Sequence, residues 1–143
     1  MISKIERYYN NSETDFPRRN VEYFVNTLIN VPGNAIELGC GTGRDTIYLI
    51  QNGWNVLAID REDVEERIKN KLTDEELKRF RFLKQSFEDI QELEKTNLVV
   101  ANFSIPFCKK EKFNELWNKI EESILPNRIF CRKFLWVKRF MER

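Results

Sequence analysis

Ala35-Ile36-Glu37-Leu38-Gly39-Cys40-Gly41-Thr42-Gly43-Arg44-Asp45 is the stretch of this 143-residue chain that decides the fold. It reads as a short apolar strand, then three glycines at every second position, then the start of a helix. All five glycines, Gly33, Gly39, Gly41, Gly43 and Gly53, fall within 21 residues, and the 90 residues that follow contain none. Backbone freedom is concentrated where a strand turns into a helix, the usual place for a ligand in an open parallel sheet.

Reading outward from this turn gives an alternation of elements. On the N-terminal side, Asp15-Phe16-Pro17 reads as a helix start, and Val21, Phe24, Val25, Leu28 and Ile29 recur at helical spacing to about Asn30. Pro32-Gly33-Asn34 ends that helix. On the C-terminal side, Arg44 to Asn52 is a helix stopped by Gly53, and Trp54 to Ile59 is a second strand that closes on Asp60. A charged helix from Glu62 to Leu72 follows, and Thr73 with Glu76 three places on is a capping box opening another short turn. Phe80 to Leu83 is a third strand and Leu98 to Ala101 a fourth. Phe113, Leu116, Trp117, Ile120 and Ile124 mark one face of a helix over Lys110 to Leu125, and a fifth strand lies between Ile129 and Val137. The pattern predicts one α/β domain over residues 1–143, Rossmann-like, doubly wound around a mostly parallel sheet of about five strands.

Composition limits the function classes. With 41% hydrophobic residues and 24 Lys+Arg against 23 Asp+Glu, the chain reads as an ordinary globular protein. No apolar run approaches the roughly 18 residues of a membrane span, and the start lacks a signal-peptide stretch, so a cytoplasmic address and no membrane partner are expected. Cys40, Cys108 and Cys131 form no C-x-x-C pair and read as reduced thiols. There is no histidine, which removes Ser-His-Asp and Cys-His nucleophile systems and histidine-bound metals. No metal site is expected.

The glycine stretch has three readings. As a plain tight turn it would need only one or two glycines. A dinucleotide loop needs G-x-G-x-x-G, whereas here the spacing is G-x-G-x-G and the third dinucleotide position is Arg44; a phosphate P-loop lacks its Gly-Lys-Ser/Thr. The remaining reading is a nucleoside cofactor bearing an amino acid and no pyrophosphate, because Glu37 is a poor neighbour for phosphate and a good one for an ammonium group.

The run Glu37-Leu38-Gly39-Cys40-Gly41-Thr42-Gly43, with Asp60 closing the next strand, resembles the S-adenosylmethionine-binding motif of class I methyltransferases. Extended through Arg44-Asp45-Thr46-Ile47-Tyr48-Leu49 and Asn52-Gly53-Trp54-Asn55-Val56, it is most similar to the small tellurite-resistance and thiopurine-methyltransferase-like group. The resemblance implies that Glu37 meets the methionine amino group and that Gly39, Cys40, Gly41 and Gly43, with Arg44 beside them, line the cofactor's path. It implies that Asp60 accepts from the ribose hydroxyls and that Arg61, Ser86, Phe87 and Glu88 surround the adenine. Ser86 stands where the family commonly has an acidic residue. Asn102-Phe103-Ser104 then faces the methyl group and its acceptor.

Each position has a plainer reading beside the functional one. Asp60 could cap the next helix, Phe87 could be core, and Glu88 could lie in a solvated turn. Asn102-Phe103-Ser104 lacks the adjacent prolines of base-methylating enzymes, so nucleic acid is not the expected acceptor. Cys108 reads as an inert thiol.

Methyl transfer needs alignment more than proton chemistry, so a chain without histidine suits a thiol, a chalcogen oxyanion or a similar small nucleophile. The expected function is a small-molecule S-adenosylmethionine-dependent methyltransferase, yielding S-adenosylhomocysteine, with no catalytic base assigned. The alternative is a cofactor-binding module without turnover, completed by a partner subunit. The resemblance implies a further helix and a β-hairpin after the fifth strand, and the expectation is a domain truncated before them, with a homodimer as one way to cover the sheet edge. Residues 126–143 hold six basic side chains and one acidic, but a strand alternates its faces and cannot align all six for nucleic acid.

Overall fold

The computed structural model describes residues 3–4, 16–28, 31–101, 110–125 and 132–134. Five strands, β1 (Asn34–Leu38), β2 (Asn55–Asp60), β3 (Phe80–Lys84), β4 (Leu98–Val100) and β5 (Arg132–Phe134), form one sheet in the order β3-β2-β1-β4-β5. Every pairing is parallel, so the sheet expected to be mostly parallel is wholly so among the described strands. The chain enters at the centre, steps outward to β3, and crosses back to β4. Strand order therefore reverses between β1 and β4, the switch point beyond which open α/β sheets hold their ligands. This is the Rossmann-like arrangement.

Five helices accompany the sheet among the described residues: α1 (Arg19–Tyr23), continued by a π-helical turn at Phe24–Leu28, α2 (Arg44–Gln51), α3 (Glu65–Lys69), α4 (Asp74–Leu77) and α5 (Lys110–Ser123). The helix read from Asp15 begins instead at Arg19, because Arg18 is extended at φ −66° and ψ 146° and its N–H is held by Asp45. The helix read over Glu62 to Leu72 is confined to Glu65–Lys69. Its first residues are drawn into a turn where the Glu62 N–H donates to Asp60 Oδ1 at 2.9 Å. Of the fifth strand read between Ile129 and Val137, Arg132–Phe134 is described and the rest lies outside the described residues.

Strand alternation divides the interior into two cores. Ala35, Val56, Ala58, Leu98 and Val100 face one way and pack with Val21, Phe24, Leu49, Ile50, Val64 and Ile68 from the first three helices and their flanks. Ile36, Leu38, Ile59, Val99 and Ala101 face the other way and meet Leu116 and Ile120 of α5. Burial on both faces explains why these strands read as apolar runs. Parity also places the polar ends: Glu37 shares a face with Ala35, and Asp60 with Val56 and Ala58, so both carboxylates rise on the side that α2 covers. The register aligns Leu38 with Ile59, which sets Asp60 beside Gly39.

Local signals in the sequence are met closely. Gly53 ends α2 at φ +90°, with its N–H donating to Ile50 O at 3.0 Å and the Trp54 N–H to Leu49 O at 3.0 Å. This is the paired C-terminal cap that needs a left-handed residue. Thr73 and Glu76 exchange both bonds of a capping box at 2.9 and 3.2 Å. Thr73→Ala should cost about 1 kcal/mol in urea denaturation, the usual worth of such a cap; an unchanged midpoint would show that α4 is held by packing alone. No described helix is long and apolar enough to cross a membrane.

Candidate functional site

The glycine turn leaves β1 in three left-handed steps, with φ of +74° at Gly39, +55° at Gly41 and +86° at Gly43. A side chain is strained in each of these conformations. At Gly43 there is a second reason: a Cβ there would lie 2.6 Å from Cγ1 of Ile68, so the turn packs directly on α3.

The direction of the N–H groups decides which ligands this turn suits. The Gly39 and Cys40 N–H groups both donate to Ile59 O, at 2.7 and 3.3 Å, and the Gly43 N–H donates to Cys40 O at 2.9 Å. The Gly41 N–H donates to Asp60 Oδ2 at 2.9 Å. A phosphate-binding loop turns such groups outward to the anion. Here four of them are turned inward, in agreement with the absence of a P-loop or dinucleotide spacing in the sequence.

The electrostatic surroundings point the same way. Glu37, at 1% exposure, accepts a short hydrogen bond from Thr46 Oγ1. Burial, followed by the nearby Asp45 carboxylate, pushes the Glu37 carboxyl well above the usual range; the Thr46 hydroxyl and the Arg18 guanidinium pull it down, and Asp60 adds to the rise. Asp45 is fully buried. Arg18 grips it at two points, the backbone N–H on Oδ1 at 2.8 Å and Nη1 on Oδ2 at 2.7 Å. Three carboxylates thus gather behind the turn, one of them paired with the Arg18 guanidinium. A cationic ligand would relieve Glu37, and a phosphate would be repelled.

Asp60 is 8% exposed and bridges two backbone segments, one oxygen taking Gly41 and the other Glu62. It therefore braces the turn as well as standing at its rim. Each oxygen keeps a further lone pair, so the brace leaves room for an outside donor. Cys40 packs its side chain into the α2-side core, and burial with Glu37 and Asp60 nearby pushes its thiol up, so its backbone alone is offered to a ligand.

The other candidate positions are dispersed. Arg44 opens α2. Arg61 is exposed and lies 3.8 Å from Glu62. The Gln85 N–H donates to Asp60 O at 2.9 Å, which brings the end of β3 to the same rim. Just beyond it, Ser86 Oγ donates to Asp89 Oδ2 at 2.8 Å. Phe87 is half-buried against the α5-side core, and Glu88 is half-buried in the same 3-10 turn. Asn102 lies outside the described residues, as do Phe103, Ser104 and Cys108.

Sequence reading left Arg18, Asp45 and Thr46 without a role. Asp45 and Thr46 carried a signal, being polar residues in the first turn of the helix that follows the glycines. Arg18 carried none, because its partner is 27 positions away.

A parallel Rossmann-like sheet with an inward-bonded glycine turn, flanked by two acidic strand ends, defines an α/β domain of the kind that holds its ligand beyond the strand ends. The chain belongs to the methyltransferase domain family, which matches over residues 35–127 and whose cofactor is S-adenosylmethionine. No curated protein sequence matches it. Among solved structures it is similar to the 1,6-didemethyltoxoflavin-N1-methyltransferase of Burkholderia thailandensis with bound 1,6-didemethyltoxoflavin and S-adenosylhomocysteine, with 18% identity and a TM-score of 0.66 over 84% of this chain and 52% of that one. The glycopeptide N-methyltransferase MtfA, complexed with S-adenosyl-L-methionine, aligns at 20% identity and a TM-score of 0.63 over 74% of this chain and 49% of that one. The plantazolicin methyltransferase BpumL, in complex with S-adenosylhomocysteine, aligns at 20% and 0.60 over 84% and 48%. At such identities the likeness is one of fold. The chain spans about half the length of these structures.

Proposed function

We propose that the chain binds S-adenosylmethionine over the turn from Gly39 to Gly43 and serves transfer of its methyl group to a small nucleophilic molecule. The observation that carries the reading is the buried Glu37 carboxyl, held by the Thr46 hydroxyl beneath a turn whose N–H groups face inward. Such a site rejects phosphate and favours an ammonium group.

In this reading Glu37 holds the amino group of the methionyl moiety, and the left-handed backbone of Gly39, Gly41 and Gly43 lets the ligand lie close, with Arg44 at the helix start beside it. Asp60 accepts from the ribose hydroxyls with its remaining lone pairs. Arg61, Ser86, Phe87 and Glu88 form the adenine side, Ser86 lending the acidic character of Asp89 through their hydrogen bond. Asn102 is the candidate on the acceptor side. The cofactor, when bound, supplies an activated methyl group, and the protein's task is to align it and exclude water.

For the acceptor, the absence of histidine favours a thiol or a chalcogen oxyanion, which needs little help from a protein base. That choice agrees with the tellurite-resistance and thiopurine-methyltransferase-like resemblance. The toxoflavin and glycopeptide enzymes act on nitrogen, so a nitrogen acceptor is the competing outcome. A methyl-transfer assay against simple thiols and tellurite, beside amines, separates them. A protein that binds the cofactor and methylates none of these would instead be a cofactor-binding module.

Calorimetric titration with S-adenosylmethionine and S-adenosylhomocysteine tests the cofactor step, and absence of binding to either would overturn it. Glu37→Gln sharpens the test. A charged hydrogen bond contributes about 1.5–3 kcal/mol, so affinity should fall about tenfold to a hundredfold. Stability should move the other way. Because the folded Glu37 carboxyl titrates above its unfolded value, it contributes stability that is complete below the unfolded value and is lost as pH rises through the folded one. The Gln variant has no such loss, so its melting temperature should equal or exceed that of the parent at pH 8. A variant weaker in both binding and stability would assign Glu37 a structural role only.

A further inference from the structure

Arg18 stands apart from the motif that defines the site, yet it reaches the centre of it. Its backbone N–H and its guanidinium close on the two oxygens of one carboxylate, Asp45, in the first turn of α2. The next residue, Thr46, donates to Glu37. One short relay therefore runs from the segment before α1, through the start of α2, to the buried end of β1.

A two-point grip on a fully buried aspartate is a costly arrangement unless the charge is wanted there. If Asp45 stood alone beside Glu37, two negative charges would share one dry space, and one of them would be driven to keep a proton. A protonated Glu37 offers an ammonium group no ion pair.

We propose that Arg18 is a positioning residue of the cofactor site: by gripping Asp45 at two points it balances that carboxylate, leaving Glu37 as the unbalanced charge that a ligand's ammonium group completes. The inference rests on the cofactor reading given above. The groups facing Glu37 are consistent with it from every described side. Arg18 approaches from before α1, Asp45 and Thr46 from α2, Asp60 from the end of β2, and Cys40 from the turn, while β4 presents the apolar Val100 in register with Glu37. Arg18 is the only cation among them, and it lowers the proton affinity of Glu37, whereas Asp45 and Asp60 raise it.

The experiment is calorimetric titration with S-adenosylhomocysteine from pH 5 to pH 8, in two buffers of different ionisation enthalpy so that proton release on binding is read directly. Binding to the parent should weaken on the acid side with a single midpoint, as Glu37 gains its proton. Arg18→Gln should move that midpoint upward by about one pH unit, the lower end of the effect of one adjacent charge, and increase proton release at pH 7. Arg18→Lys keeps the charge and should leave the midpoint in place while losing some affinity. The double variant Arg18→Gln/Asp45→Asn removes both buried charges, so it should fold even where Arg18→Gln does not, and its midpoint should return to the parent value or below. A midpoint that stays fixed in Arg18→Gln, or one equally raised in the double variant, would overturn the proposal and reduce the grip to a fold contact. Failure of the parent to bind S-adenosylhomocysteine at any pH would instead overturn the cofactor reading itself.

Discussion

Asp60→Ala should abolish measurable binding of S-adenosylhomocysteine and lower stability by about 3 kcal/mol, the sum of two charge-assisted hydrogen bonds partly replaced by water. The double effect follows from the place of this carboxylate. One oxygen holds the Gly41 N–H and the other the Glu62 N–H, so the side chain ties the turn after β1 to the turn after β2. Its removal leaves two donors without their acceptors at the carboxyl ends of the strands and lets both turns relax. Calorimetric titration gives the first quantity and urea denaturation the second. Asp60→Asn, which keeps one oxygen, should recover part of the stability and little of the binding, because an amide can hold one N–H but offers a ribose diol half the acceptors. Parent-like stability in Asp60→Ala would mean that the two bonds contribute nothing and that the carboxylate serves the ligand alone.

The second large effect is expected at Gly43. Gly43→Ala places a Cβ on a residue at φ +86°, which costs roughly 1–2 kcal/mol in backbone strain. The same Cβ would meet Ile68 Cγ1 at 2.6 Å and Cδ1 at 2.9 Å, an overpacking that adds about 1–3 kcal/mol. A total near 3 kcal/mol should show as a clear drop in the denaturation midpoint. The two contributions can be separated, because Ile68→Ala removes both offending carbons and leaves the strain. Residues in contact couple, so the double variant should be more stable than the sum of the single changes by about 1 kcal/mol or more. Strict additivity would show that α3 moves aside at no cost, and that Gly43 is needed for its backbone angle alone.

Much of this architecture is legible in the sequence. The glycine spacing located the turn, apolar runs bounded by turn residues located the strands, and their alternation with helical periodicity gave a doubly wound sheet. The Thr73 capping box and the Gly53 helix stop were readable because each is a bond pattern spanning only a few residues. Glu37 and Asp60 could be singled out because strand ends beside a glycine turn are where such sheets bind ligands. Legibility failed where a tertiary contact overrode a local signal. Asp15-Phe16-Pro17 has the composition of a helix start, but the grip of Asp45 holds Arg18 extended and delays the helix to Arg19. Glu62 has good helix propensity, but its N–H is taken by Asp60. Arg18 itself escaped for the same reason: a pairing across 27 positions leaves no periodic trace.

The division of the sheet into two faces has a consequence for which changes of length this protein can accept. Glu37 and Asp60 lie on the α2 side of the sheet because each sits an even number of residues beyond an alanine or valine of the α2-side core. Inserting or deleting a single residue within β1 or β2 would turn a carboxylate into the opposite core, among the apolar side chains of Ile36, Leu38 and Ile59. A change of two residues would restore the face but slide the strand end by about 7 Å relative to its neighbour. The two strands are therefore tolerant of exchange among apolar side chains and intolerant of any change in count, and variation in chain length has to be absorbed in the connections on the far side of the sheet, away from the turn.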